Sequence, residues 1–137
     1  MVKSGGRKKT RIMVVDDEQA IQGLANIVLG AEGIEVDVAD NGTAAMEMVG
    51  ANAYDLLLVD VKTPQMNGKQ LYRLLLKKHP NLADRVLFIT GDTVSDDTRA
   101  FLQDCGRPCL AKPFTPDSLI EAVRRELAII ERSEPKG

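Results

Sequence analysis

Five short apolar segments punctuate this chain, and each is followed by a stretch with helical spacing. Residues 12–15, 56–59 and 86–89 are continuous apolar runs bounded by polar residues, the pattern of strands buried on both faces of a parallel sheet. Ile34, Val36 and Val38 alternate with Glu35 and Asp37, which predicts a half-exposed edge strand. A fifth strand is expected over 108–111. Between them, Ile21, Leu24, Ala25, Val28 and Leu29 form a stripe at helical intervals. Asn41-Gly42 reads as a turn and helix entry, followed by Ala44, Ala45, Met48 and Val49. A third helix presents Leu71, Leu74 and Leu75 and ends near His79-Pro80; its Tyr72 and Leu76 are candidates for an exposed partner patch. Ser95-Asp96-Asp97 caps a fourth helix that stops at Gly106. Thr115-Pro116-Asp117 opens the last one, with Leu119, Val123, Leu127 and Ile130 facing inward.

Five successive strand-then-helix units predict a doubly wound α/β domain: a five-stranded parallel sheet flanked by five helices. The alternating second strand belongs at an edge, and the order 2-1-3-4-5 fits. The winding then reverses between strands one and three. In such sheets ligands bind outside the carboxyl ends of the strands at that reversal. Asp16 and Asp17 follow the first strand and Asp60 ends the third, so the three carboxylates are expected to converge there.

Length and composition narrow the class. A chain of 137 residues suits one domain, read as a flexible basic arm or linker over 1–10, the domain over 11–131 and a frayed tail over 132–137. With a net charge of −2, nothing points to a nucleic-acid or membrane surface as the main partner. No apolar stretch approaches the ~20 residues of a bilayer span, and a cytoplasmic location is expected. Cys105 and Cys109, with the lone His79 far upstream, do not make a zinc set; they read as reduced, partly buried thiols. His79 before Pro80 is solvated punctuation.

Three carboxylates in one crevice demand a counter-charge. Two of them ~4 Å apart repel by ~4 kcal/mol at an effective dielectric of ~20. Lys112, just past the fifth strand, supplies one positive charge. A hard divalent ion with oxygen ligands, Mg²⁺ above all, supplies the rest. A carboxylate beside Mg²⁺ and a lysine is placed to attack a phosphoryl group. Thr90, ending the fourth strand, can offer its hydroxyl to the product.

Asp16-Asp17-Glu18, the stretch from Asp60 through Lys62, Thr63, Pro64 and Asn67 to Gly68, Thr90-Gly91 and Lys112-Pro113-Phe114 together resemble the receiver domain of two-component signalling. The likeness runs over about 11–128. It implies a flavodoxin-like fold in which Asp60 accepts phosphate from the phosphohistidine of a histidine kinase or histidine phosphotransfer domain. It further implies that Asp17, Asp60 and the Lys62 carbonyl bind Mg²⁺ directly, with Asp16 acting mainly through water. Thr90 and Lys112 would contact the phosphoryl group, with Lys112-Pro113 cis, and Pro64 and Gly68 would shape the loop after strand three. The surface of the fourth helix, fifth strand and fifth helix would then change for a downstream protein or a second copy. Any chemistry of the chain's own would be limited to Mg²⁺-dependent self-phosphorylation and slow loss of phosphate at Asp60.

Some positions depart from the family's commonest pattern. Cys109 stands where an aromatic residue usually couples to the threonine, Thr63 where methionine is frequent, and Gly91 where alanine is. Lys62 and Asp92 flank the expected acyl phosphate and are expected to pair across it. No output domain follows the last helix in this sequence, so a single-domain regulator and a receiver excised from a hybrid histidine kinase both fit. A phosphorylation-independent docking module is the alternative that Cys109 favours. A phosphatase would carry Asp-x-Asp at the strand end, and Asp60-Val61-Lys62 lacks the second acid.

Overall fold

The computed structural model describes residues 9–91 and 95–133. The strands are β1 (Arg11–Val15), β2 (Glu35–Ala39), β3 (Leu56–Asp60), β4 (Val86–Thr90) and β5 (Cys109–Ala111). The helices are α1 (Gln19–Ala31), α2 (Gly42–Ala51), α3 (Gly68–Lys78), α4 (Pro80–Ala83), α5 (Asp96–Cys105) and α6 (Pro116–Ser133). The arm expected over 1–10 and the tail over 132–137 fall largely outside the described residues, and Asp92 falls outside them too.

The sheet is parallel throughout, in the order β2-β1-β3-β4-β5, with the expected reversal between β1 and β3. Six helices stand where five were expected. The addition, α4, is the single turn Pro-Asn-Leu-Ala, and His79 both ends α3 and precedes it. A proline at the first helical position needs no N–H partner, so the turn restarts where the longer helix breaks. Several other helix ends are capped. Asn41 accepts from Ala44 N–H at 2.9 Å, Asn67 and Gln70 form a reciprocal capping box, and α5 closes at Gly106.

Each inner strand divides its side chains between two cores, which is why its sequence is apolar without alternation. Met13, Val15, Leu57, Val59 and Phe88 pack under α2, α3 and α5. Ile12, Val14, Leu56, Leu58, Leu87 and Ile89 pack under α1 and α6. Burying a side chain of this size contributes about 1.5–3 kcal/mol. These two layers fix the strand ends and leave the acidic crevice at their upper rim. Among the described residues, no helix is long and apolar enough to cross a membrane.

Candidate functional site

Strand order alone brings the predicted residues together. Asp16 extends β1 by donating its N–H to Ala39 O at 3.0 Å, Asp60 is the last residue of β3 and Thr90 the last of β4. Lys112 follows β5, where its N–H donates to Thr90 O at 2.8 Å. Oxygens of Asp16, Asp17 and Asp60 all lie within 4.8 Å of one another. Asp16 and Asp60 are buried and Asp17 is exposed, so the cluster opens to solvent on the Asp17 side.

Backbone donors aim the two buried carboxylates. Asp16 Oδ1 accepts from Glu18 N–H at 2.9 Å, and Asp60 Oδ1 from Lys62 N–H at 3.0 Å. Their other oxygens face Lys112, whose Nζ lies 3.1 Å from Asp60 Oδ2 and 2.9 Å from Asp16 Oδ2 and also pairs with Glu18. The approach to Asp16 Oδ2 is an ion pair without hydrogen-bond alignment. That buried oxygen has no hydrogen-bond donor among the described residues. Burial pushes the Asp16 carboxyl above its ordinary pKa, with Asp60 adding to the rise and the Glu18 N–H and Lys112 opposing it. Burial alone would depress Lys112, but the three carboxylates of Glu18, Asp16 and Asp60 around it outweigh burial and hold the ammonium above the ordinary lysine range.

A buried, undersatisfied carboxylate oxygen beside two further carboxylates is a poor arrangement for the chain alone and a good one for a hard cation. The donor set is all oxygen, which fits an alkaline-earth ion and not a soft one.

The loop after β3 is fixed by close approach. An added Cβ at Gly68 would meet Asp60 O at 2.5 Å and Val61 Cα at 2.8 Å, so only glycine lets α3 start this near the strand end. The Lys112-Pro113 peptide is cis.

Several groups here are not evident from spacing. Glu18, given no role of its own in the sequence, has its carboxylate on Lys112. Gly42 does more than open a turn: its N–H donates to Met66 O at 2.9 Å, a carbonyl that also accepts from the Thr63 hydroxyl at 3.0 Å. A Cβ there would sit 2.6 Å from that oxygen. The signal available in the sequence was only the glycine itself. The Lys62–Asp92 pairing lies outside the described residues. Cys109, expected to be partly buried, is exposed on β5, while Cys105 is half-buried. The surroundings of the Cys109 sulfur still push its thiol up to about 11, burial first and then the neighbouring Cys105 and Asp60.

A doubly wound sheet with an acid crevice at its reversal and a lysine after its last strand places the chain in the flavodoxin-like class of α/β domains. This chain belongs to the response regulator receiver domain family, whose model matches residues 12–124. The DNA-binding response regulator MtrA of Mycobacterium tuberculosis (strain H37Rv) is 32% identical over 119 residues, covering 87% of this chain and 51% of that protein. Response regulator ArlR of Staphylococcus saprophyticus is 29% identical over 128 residues, 93% of this chain and 56% of that protein. The chain spans about half the length of the curated relatives it matches. Among solved structures, a CheY-like response regulator receiver domain protein from Methanospirillum hungatei JF-1 aligns with a TM-score of 0.84 at 27% identity. That alignment covers 93% of this chain and all, 100%, of the other. The signal receiver domain of a signal transduction histidine kinase from Syntrophus aciditrophicus aligns at 0.80 and 25%, covering 93% and 97%.

Proposed function

We propose that this chain is a phospho-accepting switch in which Asp60 takes a phosphoryl group from the phosphohistidine of a histidine kinase or histidine phosphotransfer domain. The observation that carries the reading is the undersatisfied acidic cluster closed on one side by Lys112. In the transfer, an Asp60 carboxylate oxygen attacks phosphorus in line, the P–N bond breaks, and its electron pair returns to the donor imidazole. Asp60 becomes an acyl phosphate. Asp17, Asp60 and the Lys62 carbonyl would hold Mg²⁺ directly, with Asp16 acting through water. Bound there, Mg²⁺ supplies charge neutralisation for the phosphoryl oxygens and orients them for in-line transfer.

The chain's own residues do the rest. The Lys62 N–H fixes one Asp60 oxygen and the Lys112 ammonium draws on the other, so the carboxylate plane is set before the donor arrives. Lys112 then pairs with the incoming charge, and the Thr90 hydroxyl bonds the new phosphoryl oxygens. The added charge of about −1.5 to −2 draws Thr90 toward the site and alters the face formed by α5, β5 and α6 for a downstream protein or a second copy. Residues 11–131 act as the receiver, free-standing or as the receiver of a hybrid histidine kinase, in the cytoplasm.

Incubation with acetyl phosphate and Mg²⁺, followed by intact-mass measurement, tests this. One added phosphoryl group is expected, absent with EDTA and absent in Asp60→Asn. A chain that gains no mass under these conditions would instead be a docking module that keeps the fold without the switch. The exposed Cys109, in place of an aromatic ring, is the feature that favours that second reading.

A further inference from the structure

A groove of about 410 Å³ runs between α3 and α5, and none of its lining residues belongs to the carboxylate site. On the α3 side stand Lys69, Tyr72, Arg73 and Leu76; on the α5 side Asp97, Ala100, Phe101 and Asp104. Leu76 is a large apolar side chain left 50% exposed. The floor is aromatic: Tyr72, Phe88 and Phe101 meet edge to face at centroid distances of 5.2–6.0 Å. Ala100 is small and exposed, so a partner's backbone can come close to that wall.

The charges are sorted by wall. Lys69 and Arg73 sit one turn apart on α3, and Asp97 and Asp104 two turns apart on α5. Among the described residues none of the four is in an ion pair, although opposite signs face each other across the groove; Lys69 instead lies 5.9 Å from the Phe101 ring centroid. Two helical walls about two turns long, an aromatic floor and, among the described residues, unpaired charges of opposite sign on the rims are the complement of a short amphipathic helix.

We propose that the α3–α5 groove docks an amphipathic helix of a partner protein. That helix would place leucine-like anchors over Tyr72, Leu76 and Phe101, acidic side chains toward Lys69 and Arg73, and basic ones toward Asp97 and Asp104. The inference goes beyond the phosphate chemistry and does not depend on it.

The test uses three dye-labelled helical peptides with the same leucines at i, i+4 and i+7. One has an acidic and a basic flank, one two acidic flanks, and one two basic flanks. The mixed peptide is expected to bind about tenfold or more tighter than either uniform one, with amide shifts concentrated in residues 69–76 and 97–105. Leu76→Asp, at an exposed site, is expected to lose about tenfold. The double variant Asp97→Lys/Asp104→Lys is expected to switch preference to the doubly acidic peptide. Asp60→Asn is expected to bind the mixed peptide as the parent does, which separates this result from failure of the phospho-switch. The proposal is overturned by equal binding of all three peptides or by shifts on β5 and α6 instead. A concentration-dependent dimer dissolved by Leu76→Asp would also overturn it, because a second copy would then be the occupant.

Discussion

The two ends of the sheet carry similar charges and treat them in opposite ways. At the carboxyl ends, Lys112 is shared by Asp16, Glu18 and Asp60, and Asp17 has no ion pair among the described residues. Near the amino ends the charges are matched. Arg11 reaches Asp37 at 2.8 and 3.1 Å, the Tyr54 hydroxyl donates to the same carboxylate at 2.7 Å, and Asp55 accepts the Arg11 N–H at 2.8 Å. Arg107 donates to Val86 O at 2.9 Å and meets Glu126 at 3.4 Å, tying the start of β4 and β5 to α6. A network that closes on itself is architecture, since every member is satisfied when the chain folds. A network left short of positive charge is one that could take up a cation.

The largest expected break of this contrast is at Lys112. Lys112→Ala leaves buried Asp16 and Asp60 without their cation and is expected to cost about 3 kcal/mol in metal-free urea unfolding. Magnesium should return more stability to this variant than to the parent, because the ion becomes the sole counter-charge. Glu126→Ala, at the matched end, leaves Arg107 with only a carbonyl and is expected to cost about 1–2 kcal/mol. Here the gain on adding magnesium should equal the parent's. A magnesium gain in Glu126→Ala as large as in Lys112→Ala would dissolve the distinction between the two ends.

The contrast also explains what the sequence made legible. Asp16, Asp17 and Asp60 sit beside strand-forming runs, so strand order converts their spacing into proximity. The matched end has no such signature: Arg11, Asp37 and Tyr54 come from three segments, Arg107 and Glu126 from two others, and each set meets only after packing. Alternation places Asp37 on the outward face of an edge strand, yet it is half-buried because Arg11 and Tyr54 cover it. Tyr72, a candidate surface residue, turns inward to an aromatic cluster while Leu76, one turn further along the helix, stays out. Helix α4 was invisible because four residues show no periodicity. Glu18 was hidden by its neighbours, since an acid at a helix start already has an explanation.

Tyr54 sharpens the comparison through pH. Burial first, and then Asp37, pushes its phenol above the ordinary tyrosine range to about 12. Folding therefore favours the protonated phenol. That contribution is present in full below pH ~10 and is lost as pH rises toward ~12. Tyr54→Phe is expected to cost about 1 kcal/mol at neutral pH through the lost hydrogen bond. It should also lose less stability than the parent across the alkaline range, measured as urea midpoints from pH 8 upward. Parallel pH curves for the two proteins would place Tyr54 outside the matched network.

The smallest effect is the most diagnostic, because its sign reverses with the metal. Asp17 is the exposed member of the cluster, and no ion pair or hydrogen bond among the described residues is lost when its charge is removed. Asp17→Asn should relieve repulsion from Asp16 and Asp60 and stabilise the metal-free chain by on the order of 0.5 kcal/mol. Paired Arg11 predicts the opposite for Asp37→Asn, which should destabilise with or without metal. As magnesium is titrated in, the parent should gain stability and overtake Asp17→Asn, whose response is blunted by the missing ligand. A crossing of the two thermal-midpoint curves would mark Asp17 as a residue kept for the ion at the expense of the empty fold. If Asp17→Asn were destabilising without metal, the acidic end would be balanced already, and the case for a missing cation would fail.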